Sequence, residues 1–303
     1  MAVNWNGVYP ALTTKFDSTG KLDLDTFELN LKAQIDAGID GVILGGSLGE
    51  ASTLFLNEKM ELLAKAKEIS SELPIIINIA ESSQQEAIKV AQTAQEHGAD
   101  GLMALPPMMY KSTDRETASW FTSIAKSTDL PIMIYNNPVD YKIEVTLAIM
   151  EELLKLPNVT AIKESTRDVS NVSRLKSAFG DSLKVSCGVD TLALESLLMG
   201  ADGWVAGLVC AFPRETVAIY RLALAGRIAE AVAIHRWFLP ILELDINPQL
   251  VQNIKLAEVI TGIGTEHVRP PRLPLVGEER ERVLKILNDG MATRPTLPDY
   301  LNL

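Results

Sequence analysis

Short, near-continuously apolar runs recur along the chain, with amphipathic segments between them. The runs fall at residues 8–12, 41–44, 74–79, 101–105, 131–135, 159–163, 183–187 and 203–206. Their lack of alternation is the pattern of parallel strands covered on both faces. Segments at 26–37, 58–71, 84–97 and 169–179 instead repeat apolar residues every three or four positions, as core-facing helices do. Eight such units by about residue 226 is the count of an α/β TIM (β/α)8 barrel. A doubly wound sheet is the alternative, but no Gly-x-Gly-x-x-Gly follows the first run.

One joint recurs between helix and strand: Gly38-Ile39-Asp40-Gly41, Gly98-Ala99-Asp100-Gly101 and Gly200-Ala201-Asp202-Gly203. The first glycine supplies a left-handed helix end and Asp-Gly turns the chain into the next strand, a structural role without chemistry. Beyond residue 226 the strand pattern stops. Residues 214–225, 227–242, 250–261 and 278–288 read as helices, with breaks expected at Pro240, Pro248 and Arg269-Pro270-Pro271-Arg272. The first of these completes the barrel. Residues 1–226 are therefore expected to form the barrel and 227–303 a helical extension packed on it, with an irregular tail from 292.

Composition narrows the partners. The 303 residues are 47% apolar with a net charge of −11, which argues against nucleic acid and anionic membrane surfaces. No apolar run approaches a membrane span, and the first residues lack the basic and apolar regions of a signal peptide. Cys187 and Cys210 fit no disulfide or metal spacing, and His97, His235 and His267 are scattered. The expectation is a cytoplasmic protein that needs no metal or other cofactor.

Candidate chemistry lies where strands end at the C-terminal face. The sixth run ends on Lys163, with Val159 and Ala161 on the same period-two face. Taken alone, such a lysine more often snorkels into water; buried, it loses its proton more easily and becomes a nucleophile toward carbonyls. Tyr135 ends the fifth run, and Gly45-Gly46-Ser47-Leu48-Gly49-Glu50 follows the second. Together these place an amine, a phenol and a hydroxyl-bearing loop around one mouth. The phenol can move protons, and Ser47 with the loop amides can grip a carboxylate. Gly188 and Gly207, after strands seven and eight, are expected to leave room for substrate. Glu50 reads as structural, satisfying loop amides.

These residues carry a resemblance over essentially the whole chain. Gly46-Ser47-Leu48-Gly49-Glu50, Tyr135-Asn136-Asn137-Pro138 and Ile162-Lys163-Glu164-Ser165 are similar to the motifs of the dihydrodipicolinate synthase / N-acetylneuraminate lyase family, the Schiff-base-forming TIM-barrel lyases. The resemblance implies that Lys163 forms an imine with a small 2-oxo acid or cyclic imino acid and that Tyr135 transfers protons. It also implies that Ser47 and the Leu48 backbone hold the carboxylate, and that the protein is a homotetramer built as a dimer of dimers.

The chain departs from the synthases at three places. Asp140 stands where they carry an arginine for a substrate carboxylate, a reversal of charge. Met109 stands where a partner-subunit tyrosine belongs, with Tyr110 one residue later, and Leu48 replaces a hydroxyl residue. Tyr141-Lys142, Ala211-Phe212-Pro213-Arg214, Leu250-Val251-Gln252-Asn253-Ile254-Lys255 and Arg269-Pro270-Pro271-Arg272-Leu273 resemble members linked with hydroxyproline breakdown. On that basis the first expectation is a 1-pyrroline-4-hydroxy-2-carboxylate deaminase whose pocket is lined by Met108, Met109 and Leu48. A pyruvate-releasing 2-keto-3-deoxy acid aldolase and a dihydrodipicolinate synthase are the alternatives, with a non-catalytic relative last.

Overall fold

The computed structural model describes residues 3–107 and 109–303. Its centre is an eight-stranded parallel sheet: β1 (Gly7–Pro10), β2 (Val42–Leu44), β3 (Ile75–Ile79), β4 (Gly101–Ala104), β5 (Ile132–Asn136), β6 (Val159–Glu164), β7 (Lys184–Cys187) and β8 (Gly203–Ala206). From β2 to β8 each strand pairs with the next in sequence, and β8 returns to pair with β1, which leaves β1 and β2 at the two edges. An Ala11–Ile43 bridge, with the Leu12 amide donating to the Ile43 carbonyl at 3.0 Å, draws the last gap together into a barrel. Nearly every strand residue is buried, as the unbroken apolar runs require.

Helices wrap this barrel in chain order. They are α1 (Leu24–Asp36), α2 (Leu56–Ile69), α3 (Gln84–Glu96), α4 (Asp114–Ala125), the single turn α5 (Pro138–Tyr141), α6 (Leu147–Leu153), α7 (Ser170–Phe179), α8 (Ala193–Leu198) and α9 (Pro213–Leu224). Then come α10 (Ile228–Leu242), α11 (Leu250–Thr261) and α12 (Gly277–Ala292). Pro240 does not break its helix. α10 runs through it, because Phe238, Ile241 and Leu242 are buried around it, and burial outweighs one missing backbone bond. The chain then tightens into a 3₁₀ turn, Glu243–Asp245.

The repeated joint works as a staple at the end of the barrel where the strands begin. Gly38, Gly98 and Gly200 take φ of +87°, +80° and +96°, the left-handed conformation that closes a helix. The following aspartates then each accept a backbone N–H at the start of a neighbouring strand: Asp40 from Val8 at 2.9 Å, Asp100 from Ile75 at 2.7 Å, Asp202 from Val185 at 2.9 Å. Arg221, Lys67 and the pair Lys176 and Lys184 neutralise them. No helix is long and apolar enough to cross a membrane among the described residues.

Candidate active site

Lys163 sits near the end of β6, and register sets Tyr135 of β5 opposite it. The two side chains are only 6% and 7% exposed, with the lysine Nζ 4.1 Å above the centre of the tyrosine ring. Burial lowers the Lys163 pKa, while Tyr141, Asp245 and Asp190 nearby oppose it. Burial likewise pushes Tyr135 up to about 12, although the Asn137 amide donates to its oxygen at 3.2 Å. At neutral pH the amine is thus eased toward its free-base form, and the phenol keeps its proton.

Polar neighbours fix the strand ends that carry these groups. Glu164, beside the lysine, accepts from Asn136 at 3.0 Å, Asn171 at 2.8 Å and the Thr166 amide at 2.6 Å. Asn136 in turn accepts the Val145 amide at 2.9 Å. The β2 loop is held as tightly. Gly45 takes φ +66° and Glu50 φ +58°, and a Cβ on Gly49 would stand 2.9 Å from the Leu12 carbonyl oxygen. Glu50, fully buried, is gripped by Lys255 at 2.5 Å and by the Arg269 amide at 3.0 Å. Its structural reading follows from those partners.

The resulting cavity, about 110 Å³, is lined by Gly46, Ser47 and Leu48 on one side and Tyr135, Asp140 and Lys163 on another. Gly188 and Gly207 also border it, but the room they leave is filled by protein. A Cβ on Gly188 would lie 2.6 Å from the Lys163 Cε and 2.2 Å from the Ser165 Oγ; one on Gly207 would lie 2.7 Å from an Asp245 carboxyl oxygen. Each glycine thus makes room first for a neighbouring side chain at the cavity wall. Met109 and Tyr110 do not belong to the cavity: they are 75% and 57% exposed on the loop after β4. Within one chain neither lines the pocket. Met108 lies outside the described residues.

Three further groups, Asp245, Tyr141 and Arg167, reach the cavity that sequence reasoning did not assign to it, and a fourth, Asp190, lies buried behind its wall. Asp245 arrives from the 3₁₀ turn after α10, and burial raises its pKa well above that of an ordinary carboxyl. Asp190 is consumed by structure, accepting from Trp204 Nε1 at 2.9 Å and from the Gly207 and Leu208 amides at 3.1 and 2.7 Å. Tyr141 ends α5, its hydroxyl 2.5 Å from the Ser47 Oγ. Arg167, held at φ +62°, brings its guanidinium to 3.5 Å from the Asp140 carboxylate. Asp140 is therefore not a lone negative charge, which weakens the charge-reversal argument drawn from its position. Arg167 lies only four residues past Lys163, but its turn into the mouth depends on a left-handed residue that no local pattern marks. Among the described residues no cluster of three or more His, Cys, Asp or Glu could hold a metal ion.

A buried amine against a phenol, at the C-terminal mouth of a (β/α)8 barrel, defines an aldolase-type lyase of the Schiff-base class. Residues 4–289 match the Dihydrodipicolinate synthetase family, and the chain belongs to it. A 4-hydroxy-tetrahydrodipicolinate synthase of Exiguobacterium sibiricum is 34% identical over 276 residues, 90% of this chain and 92% of that protein. Among solved structures, the 4-hydroxy-tetrahydrodipicolinate synthase of Methylacidiphilum fumariolicum superposes with a TM-score of 0.88 at 30% identity, covering 95% of this chain and 97% of its own. The chloride-inhibited dihydrodipicolinate synthase of Acinetobacter baumannii, complexed with pyruvate, gives 0.91 at 25% identity over 95% and 99%. These names favour the synthase reaction over the deamination that the sequence put first.

Proposed function

We propose that the chain is a Schiff-base lyase in which Lys163 forms an imine with pyruvate or a closely related 2-oxo acid. The Nζ adds to C2, water leaves, and loss of a C3 proton gives an enamine that attacks an aldehyde carbon. Hydrolysis then frees the lysine. Ser47 and the Leu48 amide hold the carboxylate, and Tyr135 moves the protons. The observation that carries this is the position of the Lys163 Nζ, buried and 4.1 Å over the Tyr135 ring. Reduction with borohydride in the presence of pyruvate is expected to leave a covalent adduct on the chain, and Lys163→Ala to abolish it. An adduct that survives the substitution, or none on the unaltered chain, sinks the proposal.

For the second substrate, condensation with aspartate semialdehyde, as in the synthases this chain resembles, is the favoured reading. Arg167 at the mouth supports it by offering a cation to a distal carboxylate beside Asp140. Deamination of 1-pyrroline-4-hydroxy-2-carboxylate is the second reading, favoured by Asp140 and Met109 at positions where the synthases carry arginine and tyrosine. Parallel assays for dihydrodipicolinate formation and for ammonia release separate the two; ammonia without condensation reverses their order. The setting we propose is a cytoplasmic homotetramer. The family resemblance supports it, as do the exposed Met109 and Tyr110, apolar and aromatic side chains left for a partner to cover.

A further inference from the structure

The cavity holds a second phenol that the imine chemistry above does not use. Tyr141 stands edge-on to Tyr135, ring centres 5.6 Å apart at 88°, and its hydroxyl shares a 2.5 Å hydrogen bond with the Ser47 Oγ. All three residues line the cavity beside Lys163. Ser47 is exposed and Tyr141 half-buried, so this pair reaches solvent while Tyr135 does not.

Local structure holds Tyr141 there. Asn137 caps the single turn Pro138–Tyr141 by accepting the Asp140 amide at 3.2 Å, and Lys142 ends it with φ +62°. The same Asn137 donates to the Tyr135 oxygen, so one side chain sets both phenols. By contrast Met109 has no proton to exchange, and Tyr110 does not line the cavity of its own chain.

Resting on the Schiff-base reading, we propose that Tyr141 is the outer end of a proton path contained within one chain, from Tyr135 through Ser47 to solvent. When the imine becomes an enamine, the C3–H bond breaks and its electron pair forms the C2=C3 bond, while the iminium π pair moves onto Nζ. The proton goes to the Tyr135 oxygen as that phenol passes its own across the cavity to Ser47. Ser47 hands one to Tyr141, and Tyr141 releases one to water. One proton leaves carbon, one enters solvent, and nothing is oxidised.

The test uses the full chain with pyruvate alone in deuterated water. Methyl hydrogen–deuterium exchange, followed by NMR, reads the proton path; borohydride trapping reads imine formation. Tyr141→Phe is expected to leave trapping intact and to slow exchange about 10²-fold, the scale of a lost proton-transfer group. Retained trapping also shows that the variant folds. Exchange in Tyr141→Phe at the unaltered rate overturns the path, as does a Tyr110→Phe variant that slows exchange equally. Absence of trapping in the unaltered chain instead overturns the Schiff-base reading beneath it.

Discussion

Burial, not a neighbouring cation, lowers the pKa of the Lys163 amine; the acidic groups around it pull the other way. Its free-base fraction, and so the rate of borohydride trapping, is expected to rise with pH along a limb centred below the ordinary lysine value of 10.5. The sign for stability follows from the same shift. Between the depressed pKa and 10.5 the unfolded chain holds a proton that the folded chain lacks, so stability gained from this group increases with pH across that interval. A trapping limb centred at or above 10.5 contradicts the burial argument. A second residue-scale expectation concerns Gly188. Its Cβ would intrude to 2.6 Å from the Lys163 Cε, so Gly188→Ala must push the amine aside. Displacements of that order cost about 10²-fold in rate, measurable as slower trapping in a chain that still folds. Lys163, Tyr135 and Ser47 were legible in sequence because each ends or follows a strand, where register alone fixes its place. Asp245 was not, because it reaches the cavity from a distant helix and only tertiary packing brings it there.

At the scale of elements, the apolar runs marked all eight strands to within a residue or two, since burial on both faces leaves no other pattern. What the pattern hid is how the β2 loop is braced. Helix α11 sends Lys255 to Glu50 at 2.5 Å and Glu258 to Lys15 at 2.7 Å, all four side chains fully buried. Lys255 also donates to the His267 carbonyl at 2.6 Å, and burial draws its pKa down to about 8. Truncating Lys255 leaves Glu50 buried with only the Arg269 amide and Arg272, 3.9 Å away, to offset its charge. Breaking a buried pair costs up to about 3–5 kcal/mol, whereas removing both costs less than the sum. Lys255→Met is therefore expected to lower the urea midpoint strongly, and the Lys255→Met/Glu50→Gln pair to recover much of the loss. Additive losses in that cycle would show that the two side chains do not depend on each other. The loop they brace presents Ser47, so the single variant is also expected to need more pyruvate for half-maximal trapping.

Across the whole molecule, the barrel's charges and its apolar surface are completed from beyond residue 226. Phe212 packs against Phe238 and Trp237 at centroid distances of 5.2 and 6.1 Å, and Arg294 pairs with the buried Glu215 at 2.6 Å. Asn30 of α1 donates to the Ile263 carbonyl at 2.9 Å, and Tyr300, near the C-terminus, is buried. A fragment of residues 1–226 would carry Lys15, Glu50 and Glu215 with their partners gone, and the apolar side chains of α9 in water. Buried ions without partners destabilise by several kcal/mol each, enough together to exceed the 5–15 kcal/mol margin of a typical domain. That fragment is expected to lack a cooperative urea transition and fixed near-ultraviolet dichroism, while the full chain has both. A cooperative transition in the fragment would make the extension a separable cover. Its absence would make Asp245, which α10 and its following turn deliver into the cavity, part of a site that cannot form before the C-terminal helices dock.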